Sequence, residues 1–149
     1  AGTQAVPSIT GFGLAAELAQ QELREEVRRL RGLQVQLAEA LAAIDGLTAT
    51  GPTDLDERLP HHLSYCTDRH TGTWLVMQLN MAGFAVSAGS ACSSGELQPN
   101  PTLLASGFSE QQALGAIRIT MGKATTAKAI ARLAKKLKAL MATTPISAV

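Results

Sequence analysis

Apolar residues recur mostly at spacings of three and four positions over the first part of the chain, which predicts one long helix from about residue 7 to residue 45. The recurring positions are Leu14, Leu18, Leu23, Val27, Leu30, Leu37, Leu41 and Ile44. Gly46 follows directly and can end the helix, because glycine readily adopts left-handed backbone. The segment 48–60 is rich in turn-forming residues and is therefore predicted to be a linker.

Shorter patterns follow, and they alternate between strands and helices. The predicted strands cover residues 62–67, 84–87 and 116–121. The predicted helices cover residues 73–82, 101–107, 109–115 and a last segment that begins near Thr125 or Thr126. Ser109 can cap the third of these helices, and the last has an apolar stripe opposite a basic face. This order predicts an α/β (α+β) sandwich, in which helices cover a small, partly antiparallel sheet.

The predicted strand at 116–121 places an arginine on its polar face. Ile117, Ile119 and Met121 point to one side, and Arg118 and Thr120 point to the other. A strand arginine beneath a cleft is well suited to bind a substrate carboxylate through two parallel hydrogen bonds. By spacing alone, however, a solvated strand face is the favoured interpretation.

Composition excludes several classes of function. The 149 residues carry a net charge of +1 and only 3% aromatic side chains, which argues against nucleic acid and against anionic membranes as partners. No apolar run approaches the ~20 residues that span a bilayer. The two cysteines are too few for a disulfide-stapled secreted fold, so we expect a reducing, cytoplasmic compartment.

Cys92 lies in a run of small, flexible residues, SAGSACSSG, rather than among apolar neighbours. Nucleophilic chemistry at sulfur needs a thiolate that a substrate can reach, and a Gly/Ser loop provides access and backbone amides. Cys92 is therefore a candidate nucleophile, and the alternative is a surface cysteine without a role.

A zinc site is the weaker hypothesis for the remaining cysteine and the histidines. Cys66 and His70 have a Cys-x-x-x-His spacing, but a zinc site needs further ligands in good geometry. The adjacent His61 and His62 point to opposite faces of a strand. Cys66 is expected to be a small, packed apolar residue.

The ordered set of motifs resembles the C-terminal region of group I cysteine desulfurases, the NifS/IscS type, which have the class-V aminotransferase fold. The resemblance begins with Ala1-Gly2-Thr3 and Gly11-Phe12-Gly13, and continues with Arg58-Leu59-Pro60. It is most specific in Gly89-Ser90-Ala91-Cys92 and in the strand Ala116-Ile117-Arg118-Ile119-Thr120-Met121. Together these motifs run over nearly all of the chain.

The resemblance implies a fold-type I enzyme that uses pyridoxal 5'-phosphate. Cys92 would attack the sulfur of L-cysteine, leaving L-alanine and a persulfide that is passed to an acceptor protein, as in iron–sulfur cluster assembly. Arg118 would hold the substrate carboxylate. Thr3 would reach the cofactor phosphate of the neighbouring subunit, because the dimers of the family share that site.

The resemblance also implies that this chain is one part of a larger enzyme. The family's Schiff-base lysine lies in a large N-terminal domain, and none of the lysines here, at positions 123, 128, 135, 136 and 138, matches it. Residues 1–149 are therefore expected to form the small C-terminal domain, inactive alone and part of a homodimer when complete. The alternatives are a non-catalytic interaction or dimerisation module, and a lyase or aminotransferase that does not use Cys92.

Overall fold

The computed structural model describes residues 2–89 and 98–144. Within them the chain forms helices and short strands in the order α1 (Val6–Ala42), β1 (Thr48–Ala49), β2 (His62–Cys66), α2 (Gly72–Met81), β3 (Ser87–Ala88), α3 (Pro101–Ala105), α4 (Glu110–Leu114), β4 (Ile117–Thr120) and α5 (Ala127–Met141).

The sheet has the strand order β1-β2-β4-β3, and every described pairing is antiparallel. In the central pair, Leu63 lies opposite Ile119 and Ser64 opposite Arg118. On the other side of β4, Ser87 also lies opposite Arg118. The expected small sheet covered by helices is thereby confirmed, with β4 inserted between β2 and β3.

The main core lies between one face of this sheet and the helices α1, α2 and α5. The sheet contributes four buried side chains: Leu63, Tyr65, Ile117 and Ile119. The helices contribute apolar residues such as Leu37, Leu75 and Leu137, each fully or almost fully buried. On the opposite face, a smaller cluster packs under α3 and α4; it consists of Cys66, Leu103, Ala113, Ala116 and the half-buried Phe108.

Only the second half of α1 belongs to the core. The predicted stripe is buried from Leu30 onward, whereas Leu14, Leu18 and Leu23 are 56%, 47% and 58% exposed. The periodicity identified the helix correctly, because it reports which residues share a face. It could not tell that no other described element packs over the apolar residues in the first half of the helix.

Two predicted boundaries are wrong. The segment 48–60 is not a plain linker, since it contains β1 and a 3-10 helix, Leu55–Glu57. The strand predicted at 84–87 begins only at Ser87, because the chain first has to close α2. Gly83 adopts a φ of +85° there, and the Phe84 amide donates to the Leu79 carbonyl at 2.9 Å.

The caps of the later helices follow the sequence prediction. Ser109 accepts from the Gln112 amide, and the Gln112 side chain accepts from the Ser109 amide, which forms a complete capping box on α4. Thr126 caps α5 by accepting from the Ala129 amide. These caps fix the points at which the helices around the sheet begin.

Two glycines permit a close approach of backbones between β2, α2 and the turn before β4. A Cβ on Gly115 would lie 1.9 Å from the Thr67 carbonyl oxygen, and one on Gly72 would lie 2.2 Å from that of Ala116. Real Cβ atoms do not approach backbone so closely, so both positions exclude every side chain.

We predict that Gly115→Ala lowers the free energy of unfolding by roughly 1–3 kcal/mol, because the added methyl group overpacks against backbone that cannot move aside. Gly32→Ala is the matched control, since Gly32 lies in α1 with open space around its Cα. This control should raise stability by about 0.5–1 kcal/mol through helix propensity. Urea unfolding of both variants measures the difference, and equal effects would contradict the close approach.

Candidate functional site

A cleft of about 390 Å³ lies on the sheet face opposite the main core. Its floor includes Ser64 and Arg118 from the central strand pair, and one wall comes from Arg58 and Leu59. The other wall comes from the region of α3. Successive side chains of a strand point to opposite faces of the sheet. The apolar core therefore lies on one face and the polar cleft on the other.

Arg118 lies in the floor of this cleft, where the sequence predicted a polar strand face. Its cross-strand neighbours are serines on both sides, Ser64 and Ser87, whose side chains share its face. The side chain is exposed, and no carboxylate of the described residues pairs with its guanidinium. The five donors of this guanidinium are thus directed to a space that a ligand can enter.

Arg58 fixes the shape of the adjacent wall. Its Nε donates to the Pro52 carbonyl at 2.5 Å, and its Nη2 donates to the Thr50 carbonyl. These bonds fold the loop after β1 back onto the cleft. Arg58 therefore contributes charge to the cleft while its donors hold the backbone that surrounds it.

Gln34 of α1 holds the same wall from the core side. This side chain is fully buried, and its Nε2 donates to the Leu59 carbonyl at 2.9 Å and to the His62 carbonyl at 3.1 Å. Its Oε1 accepts from Arg31 Nη1 at 2.6 Å. A buried amide with these partners fixes the turn that brings His62 into the cleft.

His62 is the titratable group of the cleft. Burial lowers the pKa of His62, and the charges of Arg118, Arg58 and His61 lower it further. Its imidazole is therefore neutral at pH 7. Among the described lining residues none is an aspartate or a glutamate, so the cleft has a positive potential and suits an anionic group.

Residues on both sides of the segment that contains Cys92 line this cleft. Residues 90–97, including Cys92, lie outside the described residues. Gly89, just before them, donates its amide to the Ala116 carbonyl at 2.9 Å and accepts from Asn100 Nδ2 at 2.8 Å. Because Gly89 and Asn100 both line the cleft, the two ends of the segment are held together at its edge.

The other predicted site residues lie apart from the cleft. Thr3 is exposed ahead of α1 and is not among the lining residues. Cys66 is fully buried, and burial with the nearby Asp68 raises the pKa of Cys66 to about 11, so its thiol is unreactive. Within residues 2–89 and 98–144, no three His, Cys, Asp or Glu side chains converge as metal ligands.

Sequence reasoning singled out Arg118 but missed most of its neighbours as site residues. The missed lining residues are Arg58, His62, Ser64 and Asn100. The alternation of the strand at 62–67 was a usable signal for Ser64, because side chains alternate between the two faces of a strand. Ser64 therefore lies on the face that Leu63 and Tyr65 do not use. The motif Arg58-Leu59-Pro60 carried part of the resemblance, but no sequence pattern placed Arg58 at the site, because its position depends on the loop that its own donors fold.

The comparisons with known proteins were consistent with one another. A family model described as aminotransferase class-V matches residues 1–133. The chain is 36% identical over 136 residues to a cysteine desulfurase of Archaeoglobus fulgidus, named IscS 1, covering 91% of this chain and 35% of the relative. It is 39% identical over 127 residues to a cysteine desulfurase of Gluconacetobacter diazotrophicus, covering 85% of this chain and 31% of the relative.

Solved structures give the same picture. A structure titled NifS-like protein matches with a TM-score of 0.76 at 30% identity, over 95% of this chain and 35% of that one. A NifS-like protein from Rickettsia africae matches with a TM-score of 0.78 at 22% identity, which shows a shared fold. The chain thus spans about a third of the length of the relatives that it matches.

The described residues do not fit covalent attachment of pyridoxal phosphate. Lys123 pairs with Glu22 on α1, and the other lysines lie on α5, so none lines the cleft. A carboxylate that could pair with a pyridine nitrogen is also missing from the described lining. What the cleft does fit is the carboxylate end of a small substrate.

In the described part of the chain, no helix is long and apolar enough to cross a membrane.

We predict that Arg118→Gln raises the pKa of His62, because it removes one of the positive charges that disfavour the imidazolium form. The matched control is Arg132→Gln on α5, whose guanidinium lies 5.4 Å from the centre of the Phe84 ring. NMR titration of the His62 ring protons measures both. An unchanged His62 pKa in Arg118→Gln would place the two side chains apart.

Proposed function

Because the chain belongs to the class-V aminotransferase family, we propose that it forms the C-terminal part of a pyridoxal-phosphate-dependent cysteine desulfurase. Under this proposal the complete protein takes sulfur from L-cysteine and releases L-alanine. The cysteine desulfurases among its relatives support the activity, and the cleft around Arg118 is the observation in this chain that carries it.

Arg118 binds the substrate carboxylate in this proposal. Its guanidinium is unpaired by any described carboxylate, and Ser64 and Ser87 on either side offer further hydrogen bonds. A planar carboxylate can accept two parallel N–H bonds from one guanidinium, which fixes its orientation as well as its position. The positive cleft, in which His62 stays neutral, favours the anionic substrate over neutral competitors.

Cys92 accepts the sulfur. It lies three residues beyond Gly89, and an extended chain covers about 3.3–3.6 Å per residue, so its Cα lies within roughly 11 Å of a residue that lines the cleft. The Cys92 thiolate attacks the substrate sulfur and forms an S–S bond. The electron pair of the broken C–S bond stays with carbon, which then takes a proton and becomes the methyl group of alanine.

The balance of this step is one L-cysteine and one thiol in, one L-alanine and one persulfide out. No external oxidant or reductant is consumed. Pyridoxal phosphate, when bound, supplies the electron sink that allows the C–S bond to break. Since the described residues of this chain offer no lysine for it, the proposal assigns that lysine to the rest of the complete protein.

The chain is therefore proposed to be a small domain that acts only together with a larger, cofactor-binding domain. The first half of α1 supports this proposal, because this many exposed apolar side chains on one helical segment are typical of an interface. Its exposed members are Val6, Ile9, Phe12, Leu14, Leu18, Leu23 and Val27. Covering them with the larger domain would remove this apolar surface from water.

Thr3 and the acceptor complete the proposal. The exposed Thr3 lies outside the cleft of its own chain, as expected if it binds the cofactor phosphate of a neighbouring subunit in a homodimer.

The Cys92 persulfide passes to an acceptor protein. The position of Gly89, three residues before Cys92, at the edge of the cleft supports this transfer. A cytoplasmic compartment agrees with this chemistry, because its reducing poise keeps thiols available.

We predict that Cys92→Ser, introduced in the complete protein, lowers the rate of alanine formation by about 10³-fold or more, since a hydroxyl cannot form a persulfide. Mass spectrometry should find one added sulfur on Cys92 in the unchanged protein after incubation with cysteine. If the Cys92→Ser protein makes alanine at the original rate, the enzyme is a lyase or aminotransferase that does not use this thiol.

Cys66→Ala is the matched control for this experiment. The Cys66 thiol is buried and has a raised pKa, so the variant should keep both alanine formation and the persulfide. The same contrast is expected with iodoacetamide at pH 8 on the isolated chain, where Cys92 is alkylated and Cys66 is not. Modification of Cys66 at an equal rate would contradict its burial.

We further predict that Arg118→Lys in the complete protein raises KM for cysteine by roughly 5- to 150-fold, equivalent to about 1–3 kcal/mol, because lysine keeps the charge and loses the forked donors. Arg132→Lys on α5 should leave KM unchanged. Steady-state alanine formation measures both. An unchanged KM in Arg118→Lys would remove the carboxylate role.

A further inference from the structure

His70 is a buried histidine that the proposed reaction does not use. It lies in the turn between β2 and α2 and is only 3% exposed. Its ring stacks on Trp74 in the first part of α2, with ring centroids 4.3 Å apart and an interplanar angle of 21°. Trp74 is the single tryptophan of the chain.

The other partner of His70 is the C-terminal end of α5. Its Nε2 lies 3.4 Å from Thr143 Oγ1, and that hydroxyl donates its own proton to the Leu140 carbonyl at 2.6 Å. With its own proton on the Leu140 carbonyl, the hydroxyl oxygen is free to accept from the imidazole, which favours the tautomer with the ring proton on Nε2. Beside it, Arg69 Nη1 donates to the Met141 carbonyl at 3.2 Å. The turn between β2 and α2 thus holds the last turn of α5 through two neighbouring side chains.

The second ring nitrogen has no such partner. His70 Nδ1 is buried and makes no hydrogen bond to any described residue. In the neutral ring Nδ1 carries a lone pair, whereas protonation would turn it into a buried N–H donor without an acceptor. A buried donor without an acceptor is strongly disfavoured.

The charged groups around His70 do not favour its protonation. Arg69, the adjacent residue, is positive and is itself paired with Asp45 after α1. Helix α2 carries no titratable side chain, and the turn Gly115–Ala116 before β4 carries none. Helix α5 presents its carbonyl end at Leu140, and the charge in its last turn is the exposed Lys138. Asp68, two residues before His70, is exposed.

We propose that His70 is an acid-sensitive latch: its neutral ring holds the last turn of α5 against the β2–α2 turn, and protonation at Nδ1 releases that end of the helix. The incoming proton comes from solvent and leaves again when the pH rises. The release is local, because the first turns of α5 are held independently by the Thr126 cap and by the core.

The direction of the pH dependence follows from the burial. Burial lowers the pKa of His70, the Leu140 carbonyl opposes this change, and the Arg69 charge adds to it. A released ring regains an ordinary pKa near 6.5. The latch is therefore complete at higher pH and is lost as the pH falls below the ordinary value towards the lowered one.

Amide hydrogen exchange on the 149-residue chain, corrected for the intrinsic pH dependence of exchange, tests this proposal. The reporting amides are Ala142 and Thr143, which donate to the Lys138 and Leu140 carbonyls, and Ile130 in the first turn is the internal control. The opening constant of the last turn should stay constant from pH 8 to about pH 6.5 and then rise by up to about tenfold per pH unit towards pH 5, for the uptake of one proton. Ile130 should not follow it.

The variant His70→Gln should abolish this pH dependence, because glutamine can donate to Thr143 but cannot take up a proton. His61→Gln is the matched control and should retain it. Trp74 fluorescence should fall with acid in the unchanged chain, since an imidazolium ring quenches the indole on which it stacks. If amide protection at Ala142 and Thr143 is lost with acid in His70→Gln as it is in the unchanged chain, the latch is overturned.

A measurement on the unchanged chain guards against a variant that fails to fold. The nitrogen shifts of the His70 ring at pH 8 should show a proton on Nε2 and none on Nδ1. The same nitrogen shifts also report the protonation of Nδ1 as the pH falls. This protonation should coincide with the loss of exchange protection at Ala142 and Thr143. Protonation without any change in that protection would equally overturn the proposal.

Discussion

The antiparallel pairing of β2 with β4 determines which side chains enter the core and which face the cleft. Leu63 and Tyr65 lie opposite Ile119 and Ile117, and all four are buried against the helices. Ser64, between them, lies opposite Arg118 on the other face. A slip of one residue would reverse every side chain of one strand, placing an arginine in the core and exposing isoleucines. The apolar alternation that builds the core therefore also presents the guanidinium.

The sequence predicts a structural feature well when the residues that determine it lie close together along the chain. The alternation around Arg118 and the capping box at Ser109 involve residues a few positions apart, so the sequence alone located them. β1 was missed because it has only two residues, both exposed, and exists through its pairing with Cys66 and Tyr65. Likewise, the place of Arg58 in the cleft depends on bonds to backbone carbonyls of its loop, for which side-chain patterns give no signal.

The long helix shows the same limit from another side. Apolar residues recur along its whole length, yet burial begins only near Leu30, where β2 and α5 pack against it. Before that point, side chains tie the helix to the turn before α5: Arg29 donates to the carbonyls of Gly122 and Thr125, and Glu22 pairs with Lys123. Hydrophobic periodicity records that a face is to be buried, whereas the element that covers it belongs to tertiary structure.

The charges of the cleft favour the binding of an anionic ligand. Burial and then the charges of Arg118 and Arg58 lower the pKa of the neighbouring His62, and no aspartate or glutamate among the described lining residues balances the two arginines. Like charges held together cost free energy, which an incoming carboxylate recovers. Stability alone does not favour this arrangement, so binding is its simplest explanation. Because the same cleft offers no lysine for a cofactor, its chemistry depends on groups that approach from outside the described residues.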